Sequence, residues 1–528
     1  MLDLLIENAR LYPGNPNSRL TGRIGHVGVK GDLIVSVDIG PSAATARTTI
    51  DAGEAAVCPG FIDIHSHSDI YPLADGRVES KLRQGVTTEV IGNCGYSAAP
   101  YRGEVADELR REAAKFGIEP DWNSVAGYLE RLEGAGIAVN YCFLVGHGTL
   151  RASVMGYRDR QPEADELRKM STELEKALEE GAFGISTGLV YSPGIFAETD
   201  EIAALARVAA AVGRLYASHI RGEGGTLLAA LREAVKIASV ASAAVQVSHL
   251  KASGRPNWPE LDKGVEILET ARKQGLDITA DRYPYEAGYT ELGALFPAWA
   301  RAGGVEETLQ RLKSRDDRRK LVTALEGIDE FGPEDIVISD VAAPEDKDYI
   351  GESLAAIAER MSRSTGEAAC ELYYASRGDV SIIMFTMEEG QAMRVLGLPW
   401  VMVGSDASAR AGSGPLYQGQ SHPRGFGTFP RVLRLFTGPG ASLSLAEALY
   451  KMTLMPAERL GLSRRGRMAA DCFADLVLFD PAEIADTATY DDPHRFPRGI
   501  QQVMVNGRPM LSGEGLTSER AGRVLRPE

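Results

Sequence analysis

Val57-Cys58-Pro59-Gly60-Phe61-Ile62-Asp63-Ile64-His65-Ser66-His67 joins a Pro-Gly turn, a short apolar strand and two histidines in one run. Pro and Gly punctuate the chain, and the apolar segment after them has the length of a buried strand. In a strand the side chains at i and i+2 point to one side, so two imidazoles two residues apart can hold one metal ion. The run therefore reads as a strand that delivers metal ligands at its C-terminal end.

Further segments repeat the pattern. Thr87–Ile91, Tyr141–Val145, Gly184–Thr187, Leu215–Ala217, Ala244–Val247, Asp277–Ala280 and Trp400–Val403 join Phe61–Ile64 as candidate strands. Helical stretches such as Glu163–Glu180, Thr199–Ala211 and Leu261–Gln274 lie between them. Strand–helix alternation marks parallel βα units, and eight strands suggest a closed barrel with its chemistry at the strand C-termini. Before this region, Leu4-Leu5-Ile6 and Leu33-Ile34-Val35 are short strands between turn clusters. After it, Asp475–Asp480 and Gln502–Gly507 are β-like again. The expected architecture is α/β: a distorted (β/α)8 TIM-like barrel with a small β-sandwich domain formed by both termini, and an inserted segment. The expected boundaries are 1–57 and 466–528 for the β-sandwich and 58–465 for the barrel. The charged stretch 286–344, which contains Lys313–Lys320, reads as a solvated helical insertion.

The other ligand candidates fall at the same kind of position. Cys94 follows Thr87–Ile91 within Gly92-Asn93-Cys94-Gly95, where glycines let the backbone turn sharply. His219 and His249 each follow a Ser at the end of an apolar run and lie 30 residues apart, about one βα unit. Asp406 ends the last candidate strand, in Gly404-Ser405-Asp406. His65, His67, Cys94, His219, His249 and Asp406 thus converge on one barrel mouth. A thiolate among imidazoles selects zinc over calcium or magnesium.

The formal net charge of −16 argues against a nucleic-acid or anionic-membrane surface, while leaving room for a local cationic pocket. The five cysteines, Cys58, Cys94, Cys142, Cys370 and Cys472, are odd in number and widely spaced, so no disulfide framework is suggested. With neither a signal-like N-terminus nor a long apolar run, the expected location is the cytoplasm.

With these motifs in hand, the sequence resembles the amidohydrolase superfamily, and within it the D-aminoacylase (N-acyl-D-amino-acid deacylase) branch. The likeness rests on Pro59–His67, Gly85-Val86-Thr87-Thr88, Gly92–Gly95, Ser186–Leu189, Ser218–Arg221, Ser248–Lys251 and Gly404–Asp406, with His422-Pro423-Arg424 and Phe429-Pro430-Arg431 beyond them. Many amidohydrolases bridge two metals with a fourth-strand lysine. Gly181–Pro193 has no lysine, and Cys94 matches the cysteine ligand of the branch. This argues against a hydantoinase or a lysine-bridged dihydroorotase.

The resemblance implies one tightly bound Zn2+ on Cys94, His219 and His249. It implies a second, weaker position on His65, His67 and Cys94, with Asp406 nearby. It implies hydrolysis of N-acyl-D-amino acids, with Asp406 as acid–base and Tyr191 stabilising the oxyanion. Lys251, Tyr283 and Arg377 are the expected grip on the substrate carboxylate, and Tyr289 stands where a small hydroxyl residue is commoner. The apolar run Leu292, Leu295, Phe296, Pro297 and Trp299 is expected to wall the pocket and favour neutral or apolar side chains. The partner implied is a small N-acyl amino acid, with no nucleic acid or membrane. Other readings are a dihydroorotase- or hydantoinase-like amide hydrolase, an N-acyl-D-glutamate deacylase, or a non-catalytic scaffold. A scaffold has no need of the complete ligand set seen in this sequence.

Overall fold

The computed structural model describes residues 1–437, 441–513 and 515–528. Eight parallel strands form its centre: Phe61–Asp63 (β1), Val86–Ile91 (β2), Asn140–Gly146 (β3), Gly184–Gly188 (β4), Leu215–His219 (β5), Val245–Val247 (β6), Ile278–Arg282 (β7) and Val401–Val403 (β8). They pair in sequence order from β1 to β8, and each expected strand has its counterpart. Every residue of β2 and β3 is buried, as a parallel sheet covered on both faces requires. Alternation sorts their side chains. Cys142 and Leu144 of β3 join Ile62, Ile64, Val90 and Met402 inside the barrel. Tyr141, Phe143 and Val145 of the same strand face the helices.

The helices read from periodicity are present. Ala164–Glu179 begins with a reciprocal Glu163–Glu166 capping box and buries Met170, Leu174, Ala177 and Leu178, one stripe of a 3.6-residue repeat.

The barrel closes at its carboxyl mouth. Beyond the ends of β1 and β8, Asp406 N–H donates to the His65 carbonyl at 2.8 Å and His67 N–H to the Ala407 carbonyl at 3.3 Å. A Ser66–Ala407 bridge lies between them. Beneath this seam a fully buried ionic cluster joins strands: Lys81 Nζ lies 2.7 Å from Asp63 and 3.0 Å from Glu89. Asp63 also accepts from the Ser405 backbone N–H at 2.8 Å.

The termini pair as expected. Leu476–Phe479 lies antiparallel to Ala56–Pro59, which pairs with Leu2–Leu11. Among the described residues nine strands form one sheet. Its edge strand Leu33–Ile39 curls back to bridge Phe473, folding the sheet over a core that includes Ile6, Val27, Val57 and Leu476.

The segment between β7 and β8 corrects the reading of 286–344 as a solvated helical insertion. It builds a three-stranded antiparallel sheet from Gly288–Glu291, Ile336–Val341 and Val380–Met384. Helices including Gly304–Lys313, Arg315–Glu326 and Thr365–Ala375 pack on it. Leu292, Leu309, Ile338, Ile357, Leu372 and Ile382 form a core of their own. The charges of Lys313–Lys320 occupy the outer faces of two helices whose inner faces bury Leu312 and Leu321. The segment also runs on to Met384, because its last strand lies beyond the charged stretch.

Candidate metal centre

All six expected ligands meet at the barrel mouth, above which opens a cavity of about 1070 Å3. Donor atoms of His65, Cys94, His249 and Asp406 lie within 4.8 Å of one another, and all four residues are buried. Cys94 Sγ is 3.3 Å from His65 Nε2 and 3.6 Å from His249 Nε2. His249 Nε2 is 3.0 Å from His219 Nδ1. Asp406 Oδ1 is 3.0 Å from His67 Nε2 and 3.4 Å from His65 Nε2.

Three of these residues hold a backbone that side-chain-bearing residues rarely adopt. Cys94, His249 and Asp406 have φ of 51°, 36° and 51°. Such conformations persist where surrounding structure enforces them, and they concentrate at functional sites. Next to Cys94, Gly95 has φ 77°, and a Cβ there would lie 2.5 Å from Gly188 N, so only glycine lets β4 come this close.

The electrostatics suit metal capture. Burial pushes the Cys94 thiol up, but the imidazoles of His65, His219 and His249 outweigh it and hold the group well below the usual thiol range. Burial likewise opposes the charge on Asp406, yet Arg424, His249 and His65 keep it ionised. His219 is driven below the usual histidine value by burial and by His249, so its imidazole stays neutral, the form that can bind a metal.

Two supporting carboxylates carried no sequence signal strong enough to single them out. Asp281, at the end of β7, accepts from His65 Nδ1 at 3.0 Å, from the His249 backbone N–H at 2.9 Å and from Gln246 Nε2 at 2.6 Å. Holding the proton on Nδ1 leaves the Nε2 of His65 free to bind metal. Asp281 closes a strand as the ligands do, but the sequence-read strand stops at Ala280. Glu223, in a glycine-flanked loop, lies 2.9 Å from His249 Nδ1 and 2.5 Å from Lys251 Nζ.

The expected carboxylate grip is only partly assembled. Lys251 and Tyr283 are buried beside the centre. Arg377 is not buried beside them: it lines the same cavity from the inserted segment, its side chain is 71% exposed, and it pairs with Glu306 at 3.0 Å. The buried arginine facing the centre is Arg424, from the His422-Pro423-Arg424 segment. Its Nη1 is 2.8 Å from Asp406 Oδ2, a charge contact rather than an aligned hydrogen bond. Its guanidinium lies 4.7 Å from the Tyr283 ring and 5.9 Å from that of Tyr289. Burial raises the Tyr283 hydroxyl, but Lys251, Arg282 and Arg424 together bring it below the usual phenol value. A local cluster of cations, Lys251, Arg282 and Arg424, therefore surrounds Tyr283 inside a strongly acidic chain.

Tyr191 packs edge-on to His219, with centroids 5.1 Å apart, and its hydroxyl lies 3.1 Å from Thr290 Oγ1. Burial and the Cys94 sulfur raise its hydroxyl well above the usual value, so it stays a donor. Of the expected apolar wall, Leu295 alone lines the cavity. Leu292 and Phe296 are buried in the core of the inserted segment and Trp299 is 38% exposed. Aliphatic and aromatic residues close in sequence packed their own subdomain first.

A parallel eight-stranded barrel that gathers imidazoles, a thiolate and a carboxylate at its carboxyl mouth is a metal-binding barrel of the hydrolase type. The amidohydrolase family model matches residues 48–307 and 420–511, and the chain belongs to that family. The D-aminoacylase of Alcaligenes xylosoxydans xylosoxydans is 35% identical over 99% of this chain and 97% of its own length. The N-acyl-D-glutamate deacylase of the same organism is 36% identical over 99% and 96%. The crystal structure of the Bordetella bronchiseptica N-acyl-D-glutamate deacylase superposes with a TM-score of 0.84 at 32% identity, covering 99% of each chain. That enzyme was crystallised with zinc and a phosphonate mimic of the tetrahedral intermediate.

Proposed function

We propose that this chain is a zinc-dependent hydrolase that cleaves the amide bond of N-acyl-D-amino acids, releasing a carboxylate and a free D-amino acid. The observation that carries the reading is Cys94 set between the imidazoles of His65 and His249, with Asp406 alongside and the cations Lys251 and Arg424 around the same cavity. Full-length likeness to deacylases of N-acyl-D-amino acids supports it. The absence of any lysine from β4 weighs against the lysine-bridged amidohydrolases.

The donor set fits zinc: one ionised sulfur, imidazoles and a carboxylate, buried and converging. Cys94, His219 and His249 would hold the tighter ion, and His65, His67, Cys94 and Asp406 a weaker one. Bound zinc supplies Lewis acidity and lowers the pKa of water. The protein's own groups do the rest. Asp406, held ionised, accepts a proton from the attacking water and returns it to the leaving nitrogen. Tyr191, held protonated, donates to the carbonyl oxygen as negative charge develops there. Tyr283, Lys251 and Arg424 bind the α-carboxylate and fix which face of the stereocentre meets the base. Lys251 reaches it by sharing its charge with Glu223, to which it is already bound.

The five unpaired, buried cysteines support a reducing compartment, the cytoplasm. Among the described residues no helix is long and apolar enough to cross a membrane. The net charge of −16 supports action on a small molecule rather than on nucleic acid. The test is kcat/KM of zinc-loaded protein for N-acetyl-D-leucine, N-acetyl-D-glutamate and N-acetyl-L-leucine. Turnover of a D-substrate with the L-isomer far behind is expected. A preference for the L-isomer, or no turnover of either D-substrate, refutes the reading.

A further inference from the structure

The cations lining the cavity differ in how their charge is met. Lys251 is paired with Glu223, Arg424 with Asp406, Lys115 with Asp379 and Arg377 with Glu306. Arg301 spends its Nη1 on the Val190 carbonyl at 2.6 Å. Among the described residues Arg410, like Arg301, has no carboxylate partner, and its side chain has no carbonyl partner either. It lines the cavity and is 9% exposed, and among the described residues no carboxylate oxygen lies within 4.0 Å of its nitrogens. Its Nη1 is enclosed and has no hydrogen-bond partner. Asp340, the carboxylate that acts on it from farther off, is itself held by Lys347 at 2.7 Å.

A guanidinium cannot shed its proton to escape burial, so an enclosed and unpaired one is costly unless an anion meets it. The local geometry is arranged for that meeting. Arg410 is fixed through its backbone to Ser80: its N–H donates to Ser80 Oγ and its carbonyl accepts from Ser80 N–H, both at 2.9 Å. Its guanidinium lies 5.2 Å from the centroid of the Tyr71 ring. The Tyr71 side chain also acts as a neutral hydrogen-bond partner of the guanidinium, so what Arg410 lacks is an anion to meet its charge, and a planar, two-toothed carboxylate is the acceptor that suits it. Tyr289, in the place where a small hydroxyl residue is commoner in the branch, lies within electrostatic reach of both Arg410 and Arg424. The α-carboxylate already has Tyr283, Lys251 and Arg424.

We infer that Arg410 is the receptor for a second carboxylate on the substrate, carried either by the side chain of the D-amino acid or by the acyl group. The inference rests on the deacylase reading and narrows it to dicarboxylic N-acyl-D-amino acids. A fork of N–H groups held rigid in a desolvated wall binds a carboxylate without first losing side-chain freedom.

The test uses zinc-loaded, full-length protein. kcat/KM is measured for N-acetyl-D-glutamate, N-succinyl-D-leucine and N-acetyl-D-leucine with wild type and Arg410→Met. Wild type should favour one of the first two over N-acetyl-D-leucine, and which one identifies where the second carboxylate sits. Arg410→Met should cut that preference ratio about tenfold to hundredfold, the loss of one charge-assisted contact. A ratio unchanged by the substitution, or a wild type that favours N-acetyl-D-leucine over both, overturns the inference. Calorimetric titration with glutarate separates the two readings. If wild type turns over none of the three substrates, the deacylase reading fails, and glutarate then decides the role of Arg410. Binding weakened by the same factor in the variant supports it, and equal binding refutes it. Should Arg410→Met not fold, Arg410→Gln keeps polarity without charge and is expected to move both readouts in the same direction, with the same result refuting.

Discussion

Replacing Asp281 by Asn tests whether the carboxylate behind His65 tunes the metal centre or only packs. One oxygen of Asp281 accepts from His65 Nδ1 and from the His249 backbone N–H, and the other from Gln246 Nε2. An asparagine can keep its oxygen on the first pair. Its new NH2 group would then face the Gln246 amide, whose Oε1 is buried and has no partner. A flip of that amide restores the contact, so the fold should survive with a cost of about 1 kcal/mol. What is lost is the charge. The His65 bond falls from a charge-assisted one, worth about 1.5–3 kcal/mol, to a neutral one of about 0.5–1.5 kcal/mol. Less electron density then reaches Nε2, and outer-shell losses of this kind weaken metal binding about tenfold to hundredfold. The weaker ion, assigned to His65, His67, Cys94 and Asp406, should bear this loss. The ion on Cys94, His219 and His249 should change little, because the His249 backbone keeps its acceptor. Competition titration against a chromophoric zinc chelator yields both constants. Two constants equal to those of the wild type would show that the carboxylate does not tune the centre. Selective loss of the tighter ion would show that the two positions are wrongly assigned.

Three further outcomes are expected. Asp406→Asn keeps the shape of the side chain without the base, so turnover should fall about a hundredfold or more with the fold retained; a variant within tenfold of wild type would place the proton shuttle elsewhere. Lys81→Met leaves Asp63 and Glu89 buried without their cation, and should lower unfolding stability by about 3–5 kcal/mol in denaturant titration; an unchanged midpoint would make the cluster dispensable. Zinc uptake by metal-free protein should release protons. Burial opposes the charge on His67, but its hydrogen bond to Asp406 and the Cys94 sulfur outweigh it and hold the imidazole at about 9. Below that pH a proton must leave before the metal binds, so apparent affinity should rise towards pH 9; a flat profile between pH 6 and about 9 would contradict this.

What could be read from the sequence followed from periodicity and position. The barrel strands are short apolar runs between helical patterns. His65, Cys94, His219, His249 and Asp406 each come just after one, so a barrel places them together before any contact is known. Conformation was not readable: nothing in the residue types reveals that Cys94, His249 and Asp406 adopt left-handed backbone. Long-range partnership was equally hidden. Asp281 meets His65 across 216 residues, and a strand-end carboxylate looks the same whether it caps a helix or orients a ligand. Arg377 and Arg424 show the limit of a loose match, since which arginine turns inward is decided by packing. The run Leu292–Trp299 was legible as apolar, but apolarity alone does not say which core it serves.

The seam between β1 and β8 has a consequence in time. The hydrogen bonds that close the barrel are made by the backbone of His65, His67, Asp406 and Ala407, the residues that carry or adjoin the ligands. Asp63 and Ser405, joined beneath them, are 342 residues apart. During synthesis His65, His67 and Cys94 emerge early and wait for the last strand. Until it arrives the sheet has open edges, the state in which parallel sheets are slow to form and prone to stick to one another. Closing the ring and completing the ligand set are one event. A chain that stops before Asp406 is therefore an unfinished sheet without a site, not a weakened enzyme, and full metal loading belongs to the final step of this protein's folding.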